Sequence, residues 1–168
     1  TVTLSGLMAA TSYDFYVADS CGAGDVSLQS GPFNFNTACA PVLTAPYSNG
    51  FEGISFGNLA SYENCWTTNV GSNPAWYSDA AGTSSSSTGP NVDNTLGTSA
   101  GTYMYLETSS PSSLGDTNVL YSPVFDWSGM TSPMLSFYYH MYGQTMGNLR
   151  IWAEDASGVR TALDSIVG

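Results

Sequence analysis

Along most of the chain apolar and polar residues alternate one by one. Tyr13, Phe15 and Val17 stand against Asp14, Tyr16 and Ala18, and Phe33 and Phe35 against Asn34 and Asn36. The same beat returns at Leu135, Phe137, Tyr139 and Met141, and again at Leu149 and Ile151. Each run lasts about 4 to 8 residues and stops at Gly, Pro, Asn or Ser, the signature of half-buried strands. A 3.6-residue helical period is nearly absent. With 18 Gly and 8 Pro punctuating short strands, the pattern predicts an all-β sandwich.

The punctuation divides the chain into a short first segment, a linker and a longer second segment. Residues 1–39 read as strand (TVTL), turn, strand (SYDFYVADSC), loop (GAGDVSLQS) and strand (GPFNFNTAC). Residues 40–49 (APVLTAPYSN) lose the apolar spacing and carry two prolines, as a stiff linker does. A new domain is expected from residue 50 to residue 168.

Charge narrows the function classes. There are 13 acidic residues against 2 basic ones, Arg150 and Arg160, for a net charge of −11. Such a chain repels phosphate backbones and anionic bilayers, so nucleic-acid and membrane-surface binding are not expected. The acids are scattered, which suits a solvated surface with cation binding at a few of them. No lysine is present, which excludes Schiff-base catalysis and Lys–Asn isopeptide crosslinks within this chain. No window approaches the roughly 18 continuous apolar residues of a membrane span. Cys21, Cys39 and Cys65 form neither a CxxC pair nor a cluster with the sole His140, so a structural zinc site is not expected. A composition rich in Ser, Thr, Gly and Tyr favours disulfides and an extracellular, secreted or cell-surface location.

Two resemblances refine this picture. Leu7, Thr11, Tyr13, Phe15 and Val17, followed by Cys21-Gly22-x-Gly24-Asp25 and Ser30-Gly31-Pro32-x-x-Phe35-x-Thr37, resemble the end of a fibronectin type III domain. In that fold a tyrosine at the start of the penultimate strand turns its hydroxyl back onto the preceding corner, a place taken here by Tyr13. Gln29 stands where bacterial versions usually carry tryptophan. Only the last three strands of such a sandwich fit into residues 1–39, so earlier strands are expected in the full protein.

From Phe51 onward five linked motifs resemble a MAM domain, the extracellular module named after meprin, the A5 antigen and a receptor tyrosine phosphatase. They are Phe51-Glu52-Gly53 with Asn64-Cys65-Trp66; Gly89-Pro90 through Asp93 to Thr95; Gly101-x-Tyr103-Met-Tyr-Leu-Glu107; Leu120-x-Ser122-Pro123; and Phe137 to Gly143 followed by Met146-Gly147-x-Leu149. Asn94 departs from the histidine that the family usually places after the aspartate, and the family's acidic closing strand does not follow Ile166. The resemblance implies a jelly-roll β-sandwich, incomplete at its C-terminal end. It also implies a disulfide between Cys39 and Cys65, with Cys21 paired outside the chain or free. Cys21 and Cys39 end successive strands at opposite poles of a hairpin, too far apart to bridge.

The candidate chemistry is sparse. Asp93 follows a Gly-Pro turn between two asparagines, where an Asx side chain bonds its own backbone. Family analogy also makes Glu52 and Asp93 the carboxylates of a structural calcium site, since calcium gathers oxygen ligands from several chain positions. His140 lies where MAM domains usually carry histidine and is expected to be structural. No GxSxG or HExxH motif surrounds it. Glu63, Glu107, Asp126, Glu154 and Asp155 supply carboxylates without a local pattern that implies a glycosidase cleft. Trp66, Trp76, Trp127 and Trp152 are expected mostly in the core, while a solvent-facing aromatic row would stack on sugar rings. The function expected is a non-catalytic extracellular adhesion or spacer module of a larger secreted or cell-surface bacterial protein, a gliding or type IX-secreted adhesin among the candidates. Its partners would be neighbouring domains and extracellular polysaccharide or protein. An accessory carbohydrate- or substrate-binding module of a secreted hydrolase or protease is the alternative.

Overall fold

The structure is a computed structural model that describes residues 3–9, 11–22, 24–39, 45–52, 54, 57–58, 65–69, 73–143 and 146–168, without the side chains of Cys21 and Asn58. The described residues are all-β, with antiparallel ladders and no helix. The first four strands are β1 (Ser12–Val17), β2 (Ser20–Gly22), β3 (Asp25–Val26) and β4 (Ser30–Asn36). Then come β5 (Gly57–Asn58), β6 (Thr67–Thr68), β7 (Ala75–Asp79), β8 (Tyr103–Glu107), β9 (Leu120–Tyr121), β10 (Asn148–Glu154) and β11 (Arg160–Val167). They fall into two compact units. One comprises residues 1–47, 61–67 and 121–131, the other residues 48–60, 68–120 and 132–168.

In the first unit β1 and β4 pair antiparallel, with Tyr13 opposite Phe35 and Phe15 opposite Phe33. Cross-strand rings then meet on one face: Tyr13 and Phe35 stack at 5.8 Å and Phe15 and Phe33 meet at 5.2 Å. Such aromatic pairs contribute about 0.5–1.5 kcal/mol each beyond their area. The Tyr13 hydroxyl accepts the Met8 N–H at 2.9 Å, turning back onto the preceding corner as expected. Thr37 closes that corner, accepting from the Thr11 N–H at 2.9 Å and donating to the Met8 carbonyl at 2.6 Å. The expected strand SYDFYVADSC divides into β1 and β2, and β2 pairs with β3 inside the expected loop. Of the expected strand TVTL, residues 1 and 2 lie outside the described residues, and Thr3 and Leu4 form no ladder.

The disulfide joins Cys39 to Cys65, with Cα atoms 5.8 Å apart. Next to it Trp66 donates its indole N–H to the Tyr47 hydroxyl at 3.4 Å. Tyr47 packs edge-on against Phe125 at 5.1 Å, and Phe125 meets Trp127 at 5.1 Å. An aromatic cluster thus gathers three separated stretches of chain.

In the second unit β5, β7 and β8 form a three-stranded antiparallel sheet in that order. Trp76 lies opposite Leu106 and Ser78 opposite Met104 on one face; Tyr77 lies opposite Tyr105 and Asp79 opposite Tyr103 on the other. Period two sorts these side chains. Among the described residues Ile54 and Ala75 are buried together with Pro74, Ser78, Asp93 and Thr102.

Two expectations are corrected. Leu135, Phe137, Tyr139 and Met141 alternate as a strand would, yet the structure assigns residues 133–142 to no ladder. Alternation says which side chains share a face but does not supply the neighbouring strand that makes a ladder. The tryptophans do not fill a core either: Trp127 and Trp152 are exposed and Trp66 and Trp76 half-buried. Two-stranded ladders leave one aromatic face uncovered unless another layer packs on it.

The disulfide closes a 26-residue separation, so replacing Cys65 by Ser should destabilise the first unit by about 3 kcal/mol. Denaturant unfolding of Cys65→Ser against the parent should show that loss, and an unchanged midpoint would argue against a stabilising bridge.

Candidate metal centre

Asp93 and Glu52 reach each other from two turns. Asp93 follows Gly89 and Pro90, and its Oδ2 accepts the Leu96 N–H at 2.7 Å, closing the turn that its Asx chemistry favours. Glu52 follows Phe51, whose φ of +62° is uncommon for a bulky residue. Asn49 Oδ1 accepts the Phe51 N–H at 2.7 Å, and the Ile54 N–H reaches the Phe51 carbonyl at 3.4 Å. The tight corner turns Glu52 toward β8, where its Oε2 accepts the Thr102 N–H at 3.2 Å.

Two glycines make the approach possible. A Cβ on Gly101 would overlap the Asp93 carboxylate, and one on Gly50 would meet Thr95 Cγ2 and Oγ1 at 2.8 Å. Asp93 is 5% exposed and Gly101 is buried. Burial pushes the pKa of Asp93 up, but bonds from the backbone at Leu96, Thr95 and Thr98 and from the Glu52 side chain pull it down, and the net shift is downward. Two carboxylates can bond each other only through a proton; once both ionise they repel.

Each carboxylate keeps a buried oxygen without a partner: Glu52 Oε1 and Asp93 Oδ1. An unsatisfied buried acceptor is costly, and two of them on neighbouring carboxylates are a donor set for a hard cation. The residues therefore fit calcium chemistry, with Glu52 and Asp93 as the protein carboxylates. Among the described residues no group of three or more His, Cys, Asp or Glu comes together, so a cation here would complete its shell with carbonyls and water.

A second polar cluster sits over the tyrosine face of the β7–β8 sheet. Ser85 donates to Glu107 Oε2 at 3.0 Å, Glu107 Oε1 accepts the Ser109 N–H at 2.9 Å, and Tyr103 donates to the Pro90 carbonyl at 3.2 Å. Burial, then the charge of Asp79, pushes the hydroxyls of Tyr103 and Tyr105 above their ordinary values. Burial raises Glu107 while bonds from Ser109, Ser85 and Thr108 lower it, for a net downward shift. His140, from the 133–142 segment, donates Nε2–H to the Thr88 carbonyl of that loop at 3.1 Å.

The remaining carboxylates are spread over turns and an ion pair. Asp126 Oδ1 accepts the Ser128 N–H at 2.9 Å, and Asp155 Oδ1 accepts the Ser157 and Val159 N–H groups at 2.8 and 3.0 Å. Glu154 pairs with Arg160 at 2.6 Å. Glu63 lies outside the described residues. Sequence reasoning placed Gly101 in a family motif but missed why it must be glycine; its signal is the small residue one step before Thr102, the residue that bonds Glu52.

Comparison with known proteins decides the family. The profile described as "MAM domain, meprin/A5/mu" matches residues 51–168. The chain belongs to the MAM family. It is 35% identical over 130 residues to the rat MAM domain-containing glycosylphosphatidylinositol anchor protein 2, which covers 70% of this chain and 13% of the relative. The human protein of that name is 43% identical over 72 residues, covering 39% of this chain and 7% of the relative. The human MAM domain-containing glycosylphosphatidylinositol anchor protein 1 is 45% identical over 67 residues, covering 40% and 7%. The chain thus spans a small fraction of the relatives' length. No solved structure matches it. Glu52, Asp93 and Gly101 all lie within the stretch that the MAM profile matches.

Gly101→Ala should force the Asp93 carboxylate aside and cost about 1–3 kcal/mol, the usual range for overpacking; thermal unfolding should show the loss, and a neutral result would mean that the site yields freely. Glu107, with its value held down in the folded chain, stabilises above the ordinary 4.5 of an exposed glutamate, and that contribution is lost as pH falls through its lower folded value. Glu107→Gln should therefore flatten the fall of the unfolding temperature between about pH 5 and pH 3, and a profile parallel to the parent's would deny Glu107 this role.

Proposed function

We propose that this chain is a non-catalytic extracellular adhesion or spacer module of a larger secreted or cell-surface protein. The observation that carries the reading is the MAM match over residues 51–168, joined by relatives whose names place them on glycosylphosphatidylinositol anchors. A disulfide between Cys39 and Cys65 suits an oxidising compartment. The strands before it support a fibronectin type III-like neighbour, since Tyr13 makes the corner bond and β1 and β4 form its closing ladder. Domains strung in series and clamped by covalent and ionic bonds make an extended stalk. The bacterial, type IX-secreted adhesin is the finer form of this proposal; its support is the lysine-free acidic composition and the resemblance of residues 21–37 to bacterial closing hairpins.

Calcium has a structural role in this reading. Held by Glu52 Oε1 and Asp93 Oδ1, it would neutralise the carboxylate pair and pin the residue-51 corner to the Asp93 turn. Rigid turns keep a stalk module from yielding when its ends are pulled.

Calcium at 100 times its dissociation constant should stabilise the chain by about 2.7 kcal/mol, and Asp93→Asn or Glu52→Gln should abolish the rise in unfolding temperature. Beads coated with the chain should be retained on extracellular polysaccharide or matrix protein surfaces, more firmly with calcium than with chelator. Turnover of peptide, ester or glycoside substrates by the purified chain would overturn the non-catalytic reading, and a Tm indifferent to calcium would overturn the metal's role.

A further inference from the structure

The hairpin of β10 and β11 carries a feature that the carboxylate pair does not use. Ile151 lies opposite Asp164, but the next residue, Trp152, lies opposite Ala162. Leu163 is therefore the extra residue of a bulge, a device that bends a strand and re-aims its side chains. The result is a groove of about 280 Å³ lined by Arg150, Trp152, Ala162, Leu163, Asp164 and Ser165. Its walls come from both strands, so it lies across the face of the ladder rather than along an edge.

The groove's chemistry is specific. Trp152 is 44% exposed and Leu163 56%, an apolar platform open to water. Arg150 is one of only 2 cations in the chain. The other, Arg160, is paired with Glu154, whereas no ion pair or hydrogen bond engages the Arg150 guanidinium among the described residues. Asp164 Oδ1 accepts the Ser165 N–H at 2.7 Å; Asp164 lies opposite Ile151, while Ser165 lies opposite Arg150 and shares its face. Arginine offers five donors and no acceptor, a carboxylate accepts, and a serine hydroxyl does both.

We propose that this groove binds a neutral sugar ring, a pyranose unit of an extracellular polysaccharide. A pyranose presents an apolar C–H face ringed by hydroxyls that both donate and accept. The C–H groups carry slight positive charge and suit the negative face of the Trp152 indole, while Arg150 and Ser165 meet the hydroxyls at its edge. A purely apolar ligand would strip water from Arg150 and Asp164 without replacing it. An anionic ligand would gain Arg150 but meet Asp164 in the same groove, well within the screening length of about 8 Å at physiological salt, on a chain of net charge −11. An extended peptide would seek an open strand edge for its backbone bonds, not a ladder face. At about 280 Å³ the groove lies below the range of about 300–1,000 Å³ for drug-sized ligands, which limits it to one ring of a longer chain. The proposal goes beyond the adhesion reading, which stands if the groove binds nothing.

The test titrates the chain with cellohexaose, xylohexaose, mannohexaose and chitohexaose, by calorimetry and by tryptophan fluorescence, with polygalacturonate and a glutamate-rich peptide as comparisons. At least one neutral oligosaccharide should bind. Trp152→Ala should weaken it about tenfold or more, the effect of removing a stacking platform, and Arg150→Gln should weaken it several-fold. Trp152→Phe should retain most of the affinity. Circular dichroism checks the fold, and if Trp152→Ala does not fold, Trp152→Phe and Arg150→Gln carry the test. No binding of any neutral oligosaccharide overturns the proposal. So does binding untouched by these substitutions, or tighter binding of polygalacturonate or the peptide.

Discussion

The second unit turns on one close approach: the Asp93 carboxylate lies against the backbone of Gly101 and beside the Glu52 side chain. Everything near it follows from bringing two acids together out of water. Gly101 cannot carry a side chain, Phe51 must take a left-handed φ of +62°, and Thr102 must present its N–H to Glu52. Backbone donors satisfy one oxygen of each carboxylate and leave Glu52 Oε1 and Asp93 Oδ1 unserved. In the proposed reading a positive charge between the two carboxylates would offset the cost of the strained corner and the obligatory glycine.

The wider electrostatics obey the same constraint. With 13 acids and 2 cations, ion pairing cannot neutralise the carboxylates, so they must find neutral donors. Asp126 takes the Ser128 N–H, Asp155 takes those of Ser157 and Val159, and Glu107 takes Ser85 and Ser109. Each of these acids is held below its ordinary value in the fold. The serine and glycine content is therefore part of the charge balance: hydroxyls and freely turning backbone serve where lysines would otherwise stand.

Much of this was legible in the residues. Strict alternation marked β1, β4 and β10, and the family motifs marked the Asp93 turn, Glu52 and the Cys39–Cys65 bridge. β11 was missed for a physical reason: its bulge at Leu163 shifts the phase, so Arg160 to Val167 do not alternate cleanly. Leu135 to Met141 failed in the opposite way, alternating cleanly without a ladder partner. The roles of Gly50 and Gly101 were hidden because a missing side chain has no pattern; only the neighbour that fills its place reveals it. The exposed tryptophans were misjudged because a periodic face says nothing about what covers it.

That last point bears on how such modules evolve new surfaces. On a two-stranded ladder one aromatic face is free to meet solvent, and a single bulge is enough to turn a flat face into a groove. Beside the bulge the indole of Trp152 shares a ladder face with Arg150 and Ser165. Elsewhere the aromatics Tyr138, Tyr139 and Tyr142 are exposed in a segment that joins no ladder. An aromatic residue exposed alone is ordinary surface; with a shaped floor and opposed donors and acceptors it has the elements of selectivity. In the proposed reading the strand pattern supplies an adhesive surface, and the single extra residue in β11 would make one place on it discriminating.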